Sequence, residues 1–299
     1  MAQAKGIFIV GGSGFLGTHL ALKLRNKHRV ISTYQSYSIP MEGVLSIPLT
    51  FQDDMWLKTL ILRFQPDVIL YIIGNRDVEW VEGNQKQAEK LHATGPGEIL
   101  KHAEIYQPKL IYISTCYVFD GQRGNYKESD SISPANALGK FKAGGENFIY
   151  TRSHHYNIIR TSPIYGIGHP WRPTLVDQLR TKLSAGERIE LQNYELHSFA
   201  PITGIAEIVE KLIDQGPKQG IYHYGGLTRL THYEFGLLFA NAYGFNPGLI
   251  TPRKKPADRI YLSENQKLDF SLNSSEIMKS LNVPAYEIDE GLKKISGNI

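Results

Sequence analysis

The sequence has a single cysteine, Cys116, so no disulfide can form within the chain, and the composition suits a reducing compartment. No apolar run approaches the ~18 residues of a membrane span. The run Ile7-Phe8-Ile9-Val10 is too short for the apolar core of an export signal. A basic stripe is also missing. The 33 Lys+Arg stand against 29 Asp+Glu, a formal +4, and the densest basic group, Arg253-Lys254-Lys255, sits among prolines as a solvated loop. A nucleic-acid surface needs a longer positive track. Neither nucleic acid nor membrane is therefore expected as a partner, and a cytoplasmic location is expected. No Cys/His/Asp/Glu group has metal-ligand spacing, so no metal is expected.

What is present is an alternation. Short apolar runs at 6–10, 67–73, 109–114 and 156–160 are strand-like, as is 29–34, and helical stretches lie between them. Leu16, Leu20 and Leu24 recur on one helical face. Apolar strands without period-two alternation are buried on both faces, which implies a parallel sheet between helix layers. The fold class is α/β, a doubly wound Rossmann sheet over roughly 1–165. A smaller C-terminal α+β substrate lobe is expected over 166–299, with return segments to the core. Residues 84–106 have helical propensity, and Gly95-Pro96-Gly97 is expected to bend or break that helix.

The first strand runs straight into Gly11-Gly12-Ser13-Gly14-Phe15-Leu16-Gly17. It reads as GxxGxxG on Gly11, Gly14 and Gly17, or as GxGxxG on Gly12, Gly14 and Gly17. Such a turn between strand and helix permits a tight bend, close approach of a pyrophosphate and close helix–strand packing. An acid at the end of the second strand would hold a ribose 2′-hydroxyl. Tyr34, Gln35, Ser36 and Tyr37 stand there instead, without acid or base. Both NAD and NADP are permitted, and the lack of a repelling carboxylate leans towards NADP.

Residues 109–146 carry a second signal. Ser114, Thr115, Tyr117, Val118, Phe119, Asp120 and Gly121, followed by Pro134, Asn136, Gly139, Lys142, Gly145 and Glu146, resemble the extended short-chain dehydrogenase/reductases. Within them the likeness is to the dTDP-4-dehydrorhamnose reductase-like branch of the epimerase/dehydratase group. The resemblance extends to Arg160-Thr161 and Tyr165-Gly166 and covers nearly the whole chain. It implies a nicotinamide cofactor and a nucleotide-linked sugar as ligand. It also implies a catalytic set of a Ser/Thr hydroxyl, a Tyr and a Lys four residues later. Thr115 matches the hydroxyl and Lys142 the lysine. The cofactor would meet Gly11, Gly14, Phe15, Leu16, Gly17, Tyr34, Ser36, Ile73, Gly74, Lys142, Pro163 and Tyr165.

The tyrosine of that set is replaced by Leu138, and none of the 17 tyrosines has a lysine four positions on. Leucine cannot transfer a proton. Ile72-Ile73-Gly74 replaces small residues and would crowd the cofactor, and His92-Ala93 replaces an Asn-Ala pair. Two readings stay open. In one, the protein is still an oxidoreductase or epimerase, with Tyr117, Tyr126, His92 or Lys140 replacing the phenol. In the other, it binds a dinucleotide or sugar nucleotide as a non-catalytic regulatory subunit of a partner enzyme. Relatives often pair through the helices flanking the sheet, so a homodimer is also open. Trp171, Arg172, Arg180 and Arg188 follow Tyr165-Gly166, and an arginine among them is a candidate to hold a diphosphate.

Overall fold

The structure is a computed structural model and describes residues 3–51, 53–170, 173–215, 217, 219–253 and 267–296. Trp171, Arg172, Lys254 and Lys255 lie outside the described residues. The chain divides into two units. One comprises Met1–Phe119, Ser131–Arg160 and Ala206–Tyr222, and the other Asp120–Asp130, Thr161–Ile205 and His223–Ile299.

The first unit is built on the apolar runs. Strands β1 (Gly6–Val10), β2 (Arg29–Tyr34), β3 (Val44–Pro48), β4 (Val68–Tyr71), β5 (Lys109–Thr115) and β6 (Tyr156–Thr161) join the strand Gln219–Tyr224 in one seven-stranded sheet. The order is 219–224, β6, β5, β4, β1, β2, β3. β1 pairs in parallel with β2 on one side and β4 on the other, placing Ile7 opposite Val30 and Phe8 opposite Ile69. Ile7, Phe8, Ile9 and Val10 are fully buried, each contributing about 1.5–3 kcal/mol. The chain leaves β1 towards β2 and later returns to β4 on the opposite side. That reversal opens a crevice at the carboxyl ends of β1 and β4.

The helices of this unit include α1 (Phe15–Leu24), α2 (Asp54–Phe64), α3 (Val78–Gly83), α4 (Gln85–Glu89), α5 (Gly95–Ala103) and α6 (Ala137–Arg152). Asp53 caps α2 by accepting the Trp56 N–H at 2.8 Å. Between α4 and α5 the chain does not break. Lys90–Thr94 forms a π turn, and Pro96 falls in the first turn of α5, where its missing N–H costs nothing. Two buried phenols hold this turn. Tyr71 donates to the Leu91 carbonyl at 2.6 Å, and Tyr112 donates to the His92 carbonyl at 2.8 Å. A Cβ on Gly95 would lie 2.3 Å from the Tyr71 oxygen, so only glycine admits that contact.

Helix α6 starts at Asn136, whose side chain accepts the Gly139 N–H at 2.9 Å. Its glycines set its depth. A Cβ on Gly139 would come within 1.9 Å of the Tyr117 carbonyl, and one on Gly145 within 2.3 Å of the His92 carbonyl. The helix backbone therefore lies directly against the end of β5 and the π turn.

In the second unit, Ile164–Tyr165 pairs with Ala200–Pro201, and Ile189–Gln192 with Ile250–Arg253. The helices Leu175–Ser184 and His232–Tyr243 begin with capping boxes at Thr174 and Thr231. Tyr165, Phe199 and Phe235 stack in the core, with centroids 5.2 Å apart for Tyr165–Phe235 and 4.7 Å for Phe199–Phe235.

Candidate functional site

The glycine turn lies at the β1/β4 reversal. Gly11 has φ +95°, and a Cβ on it would lie 2.7 Å from the Ile73 Cα, which follows β4. A Cβ on Gly12 would meet the Ser32 hydroxyl at 1.9 Å, and one on Gly17 the Gly11 carbonyl at 2.4 Å. These three glycines are dictated by packing. Gly14 is not. Its φ of −78° suits any residue, and its Cβ would meet only the Gly11 carbonyl, at 3.3 Å. It is the N-cap of α1 and offers no side-chain cap. The first N–H groups of α1 thus keep their positive end for an outside acceptor. Phe15 and Leu16 follow in the first turn, both half-buried.

A cavity of about 620 Å³ lies in the same unit, walled by Leu49, Phe51, Ile73 and Leu91, with Gln35 at its edge. Ile73 also packs against the sheet core. Gly74, at φ +121°, lies over the His92 ring, where a Cβ would be 2.1 Å from Cε1. Ser36 is exposed and Tyr34 half-buried, and neither lines this cavity.

The catalytic positions meet at the carboxyl end of β5. Thr115 accepts the Tyr117 N–H at 3.3 Å and caps the short turn Cys116–Val118. Leu138 is buried, with Val81, Ala88, Ala93 and Phe141 around it and Tyr117 packed against the same cluster. Position 138 is thus filled by close-packed hydrocarbon. One turn on, Lys142 is buried on the face of α6 towards the sheet. Its ammonium donates to the Ile113 carbonyl at 2.7 Å and lies 4.7 Å from the Tyr112 ring centroid. Burial brings Lys142 down to about 7; the Arg76 charge adds to this and the Glu146 carboxylate opposes it.

Glu146 is not a free acid. It accepts two hydrogen bonds from Arg160 Nε and one from Nη2, and the Ser114 hydroxyl donates to it. This buried pair ties α6 to β6 and β5.

The four proposed replacements for the phenol are dispersed. His92 is fully buried and hydrogen-bonded to the Asn75 carbonyl at 2.9 Å; burial, reinforced by Lys142, lowers it to about 3, so it stays neutral at pH 7. Lys140 is exposed. Tyr117 belongs to the cluster around Leu138. Tyr126 lies in the second unit, where its phenol donates to Asp120 and is raised by burial and by that carboxylate. Pro163 and Tyr165 are also in the second unit; Tyr165 is spent on the core there, and a Cβ on Gly291 would meet its oxygen. Arg180 stands 4.0 Å from Asp177. Cys116 is buried. The sequence reading missed Leu49, Phe51, Lys86, Lys90 and Leu91 as cavity residues. For Lys86, Lys90 and Leu91 the only signal was the helical propensity of 84–106, which puts the two lysines one turn apart; Leu49 and Phe51 had none.

Fold and site define a dinucleotide-fold protein of the short-chain dehydrogenase/reductase type. The chain belongs to the RmlD substrate binding domain family, which matches residues 5–295. It is 26% identical over 273 residues to methionine adenosyltransferase 2 subunit beta of Pongo abelii, covering 89% of this chain and 80% of that one. A solved structure of a hypothetical dTDP-4-dehydrorhamnose reductase from Sulfolobus tokodaii superposes with a TM-score of 0.81 at 28% identity, covering 95% of this chain and 98% of that one. The dTDP-4-dehydrorhamnose reductase of Bacillus anthracis, solved in complex with NADP, gives a TM-score of 0.83 at 19% identity, covering 99% and 100%, and so shares the fold. Among the described residues no helix is long and apolar enough to cross a membrane.

Proposed function

We propose that this chain binds a nicotinamide dinucleotide, with NADP preferred, and that it lacks the tyrosine-dependent proton transfer of keto-sugar reduction. Its second ligand would be a nucleotide-linked sugar. The residues fit the dinucleotide. Gly11, Gly14, Gly17 and the first turn of α1, with Phe15 and Leu16, would receive the pyrophosphate. Tyr34 and Ser36 would border the adenosine ribose. Ile73 and Gly74 would back the cofactor, and Lys142 would face the nicotinamide ribose. Gly14 supports this fit, because it is less tightly enclosed than Gly11, Gly12 and Gly17, its one close neighbour being the Gly11 carbonyl at 3.3 Å. When bound, such a cofactor supplies a hydride.

The observation that carries the loss of chemistry is Leu138. Its side chain is packed into the cluster with Val81, Ala88, Ala93 and Phe141. Thr115 caps a turn and Lys142 is bonded to a backbone carbonyl, so no phenol stands ready to give the substrate oxygen a proton. Removing a positioned acid costs ~10²–10⁴ in rate. The test pairs two measurements. Calorimetry should show binding of NADPH, and NADPH oxidation with nucleotide-linked 4-keto-sugars should stay at background. Rapid turnover by the native chain would refute the loss of chemistry, and absence of heat with NADPH and NADH would refute the binding.

The relatives named as subunit beta favour a second reading of the cell role, as regulatory subunit of a partner enzyme. Affinity capture of the tagged chain at native expression should yield a stoichiometric partner enzyme. Recovery of monomer or homodimer alone would reject this role.

A further inference from the structure

The cavity of about 620 Å³ has an unequal charge balance that the glycine turn does not explain. Its walls are apolar, from Leu49, Phe51 and Leu91, and its edge carries Gln35. Among the described residues no carboxylate lines it. Lys86 of α4 and Lys90 of the π turn do. These lysines are four residues apart in a helical stretch, so like charges are held one turn from each other, a repulsive arrangement. The Lys86 ammonium has no hydrogen bond or ion pair among the described residues. Lys90 feels the carboxylate of Asp54, which lies outside the lining, and helps to lower it. An anion placed between the two ammonium groups would relieve their repulsion.

We infer that Lys86 and Lys90 select the dinucleotide carrying an extra phosphate on its adenosine ribose. This rests on the dinucleotide reading above and adds the residues that decide between its two forms. Leu49, Phe51 and Leu91 offer apolar walls suited to a purine. Gln35 occupies the end of β2, where a carboxylate would hold a bare 2′-hydroxyl and repel a 2′-phosphate. The selecting charge therefore comes across the cavity from the helix after β4, and not from the strand after the glycine turn. That placement accounts for the absence of any Arg or Lys among Tyr34, Gln35, Ser36 and Tyr37.

The experiment compares NADPH and NADH, and the fragments 2′,5′-ADP and 5′-ADP, by calorimetry on the full chain and on K86Q/K90Q. Lys86 is exposed and Lys90 half-buried, so the double variant should keep the native melting temperature. The native chain should bind NADPH at least about tenfold tighter than NADH, and 2′,5′-ADP tighter than 5′-ADP, with steeper salt dependence for the phosphorylated member of each pair. The double variant should lose that preference while its NADH affinity stays within about twofold, since only the phosphate contact is removed. Equal native affinity for NADH and NADPH would overturn the inference alone, and so would a preference that survives in K86Q/K90Q. Binding of neither dinucleotide would overturn the dinucleotide reading and this inference together.

Discussion

The glycine turn after β1 and the start of α6 are two halves of one site with opposite histories. The turn keeps every residue that its geometry demands, and one, Gly14, that its geometry does not demand. The α6 half is as firmly framed: Asn136 caps the helix, Gly139 and Gly145 seat it, Glu146 locks onto Arg160, and Leu138 is packed in hydrocarbon. On the proposed reading, binding rests on the backbone of the turn and the loss of proton transfer on one side chain.

That contrast breaks most sharply at Leu138. Leu138→Tyr should raise keto-sugar-dependent NADPH oxidation by ~10²-fold or more over the native background. It should also lower the melting temperature, because the extra volume enters a packed cluster and overpacking costs about 1–3 kcal/mol. Steady-state assay and thermal melts read both. Unchanged turnover in a folded variant would show that the α6 half has lost more than its phenol.

Next in size is Gly14→Val. The backbone angles admit a side chain there and its Cβ would press only on the Gly11 carbonyl, at 3.3 Å, so the melting temperature should fall modestly. NADPH affinity should fall by about 100-fold or more, equivalent to about 2.8 kcal/mol, as the branched side chain covers the N-terminus of α1. Calorimetry against Gly17→Val sharpens the comparison, because Gly17→Val should instead fail through misfolding.

Lys142→Met tests the buried ammonium. Lys142 is lowered to about 7 in the folded chain, whereas an unfolded lysine titrates near 10.4. Between those values the unfolded state binds more protons, so this group makes native stability rise with pH from about 7 to 10. The cost of burying the charge is greatest below pH 7. Lys142→Met should therefore raise the melting temperature by at least ~2 °C at pH 6, with the gain shrinking towards pH 10. The smallest effect belongs to Thr115→Val. Its hydroxyl accepts one long hydrogen bond from Tyr117, so the stability loss should stay under ~1 kcal/mol, read by denaturant titration.

The sheet was legible because its strands are unbroken apolar runs, a direct signature of burial on both faces. β3 was not, because Val44–Pro48 is interrupted by Ser46, ends in proline and is only partly buried beside β2. The glycine turn was legible as a motif, but the division of labour was not: Gly12 proves as constrained as Gly11 and Gly17, through the hydroxyl of Ser32 on a different strand. Leucine at position 138 is read directly from the sequence. The inward course of Lys142 could not, since it depends on the Ile113 carbonyl at the end of β5. Nothing in the local sequence singles out Lys86 and Lys90, and only the fold brings them to the same cavity as Gln35.

The π turn at Lys90–Thr94 adds a mechanical property. An α-helix advances about 100° per residue, so a wide turn resets the angular phase of everything before it against everything after it. Deleting one residue there would swing Lys86 of α4 around the helix axis while α5 stayed docked. Tyr71 and Tyr112, by clamping the carbonyls of Leu91 and His92, set that phase from inside the sheet. Two tyrosines remote from any proton transfer thereby determine which way the cavity's charges point.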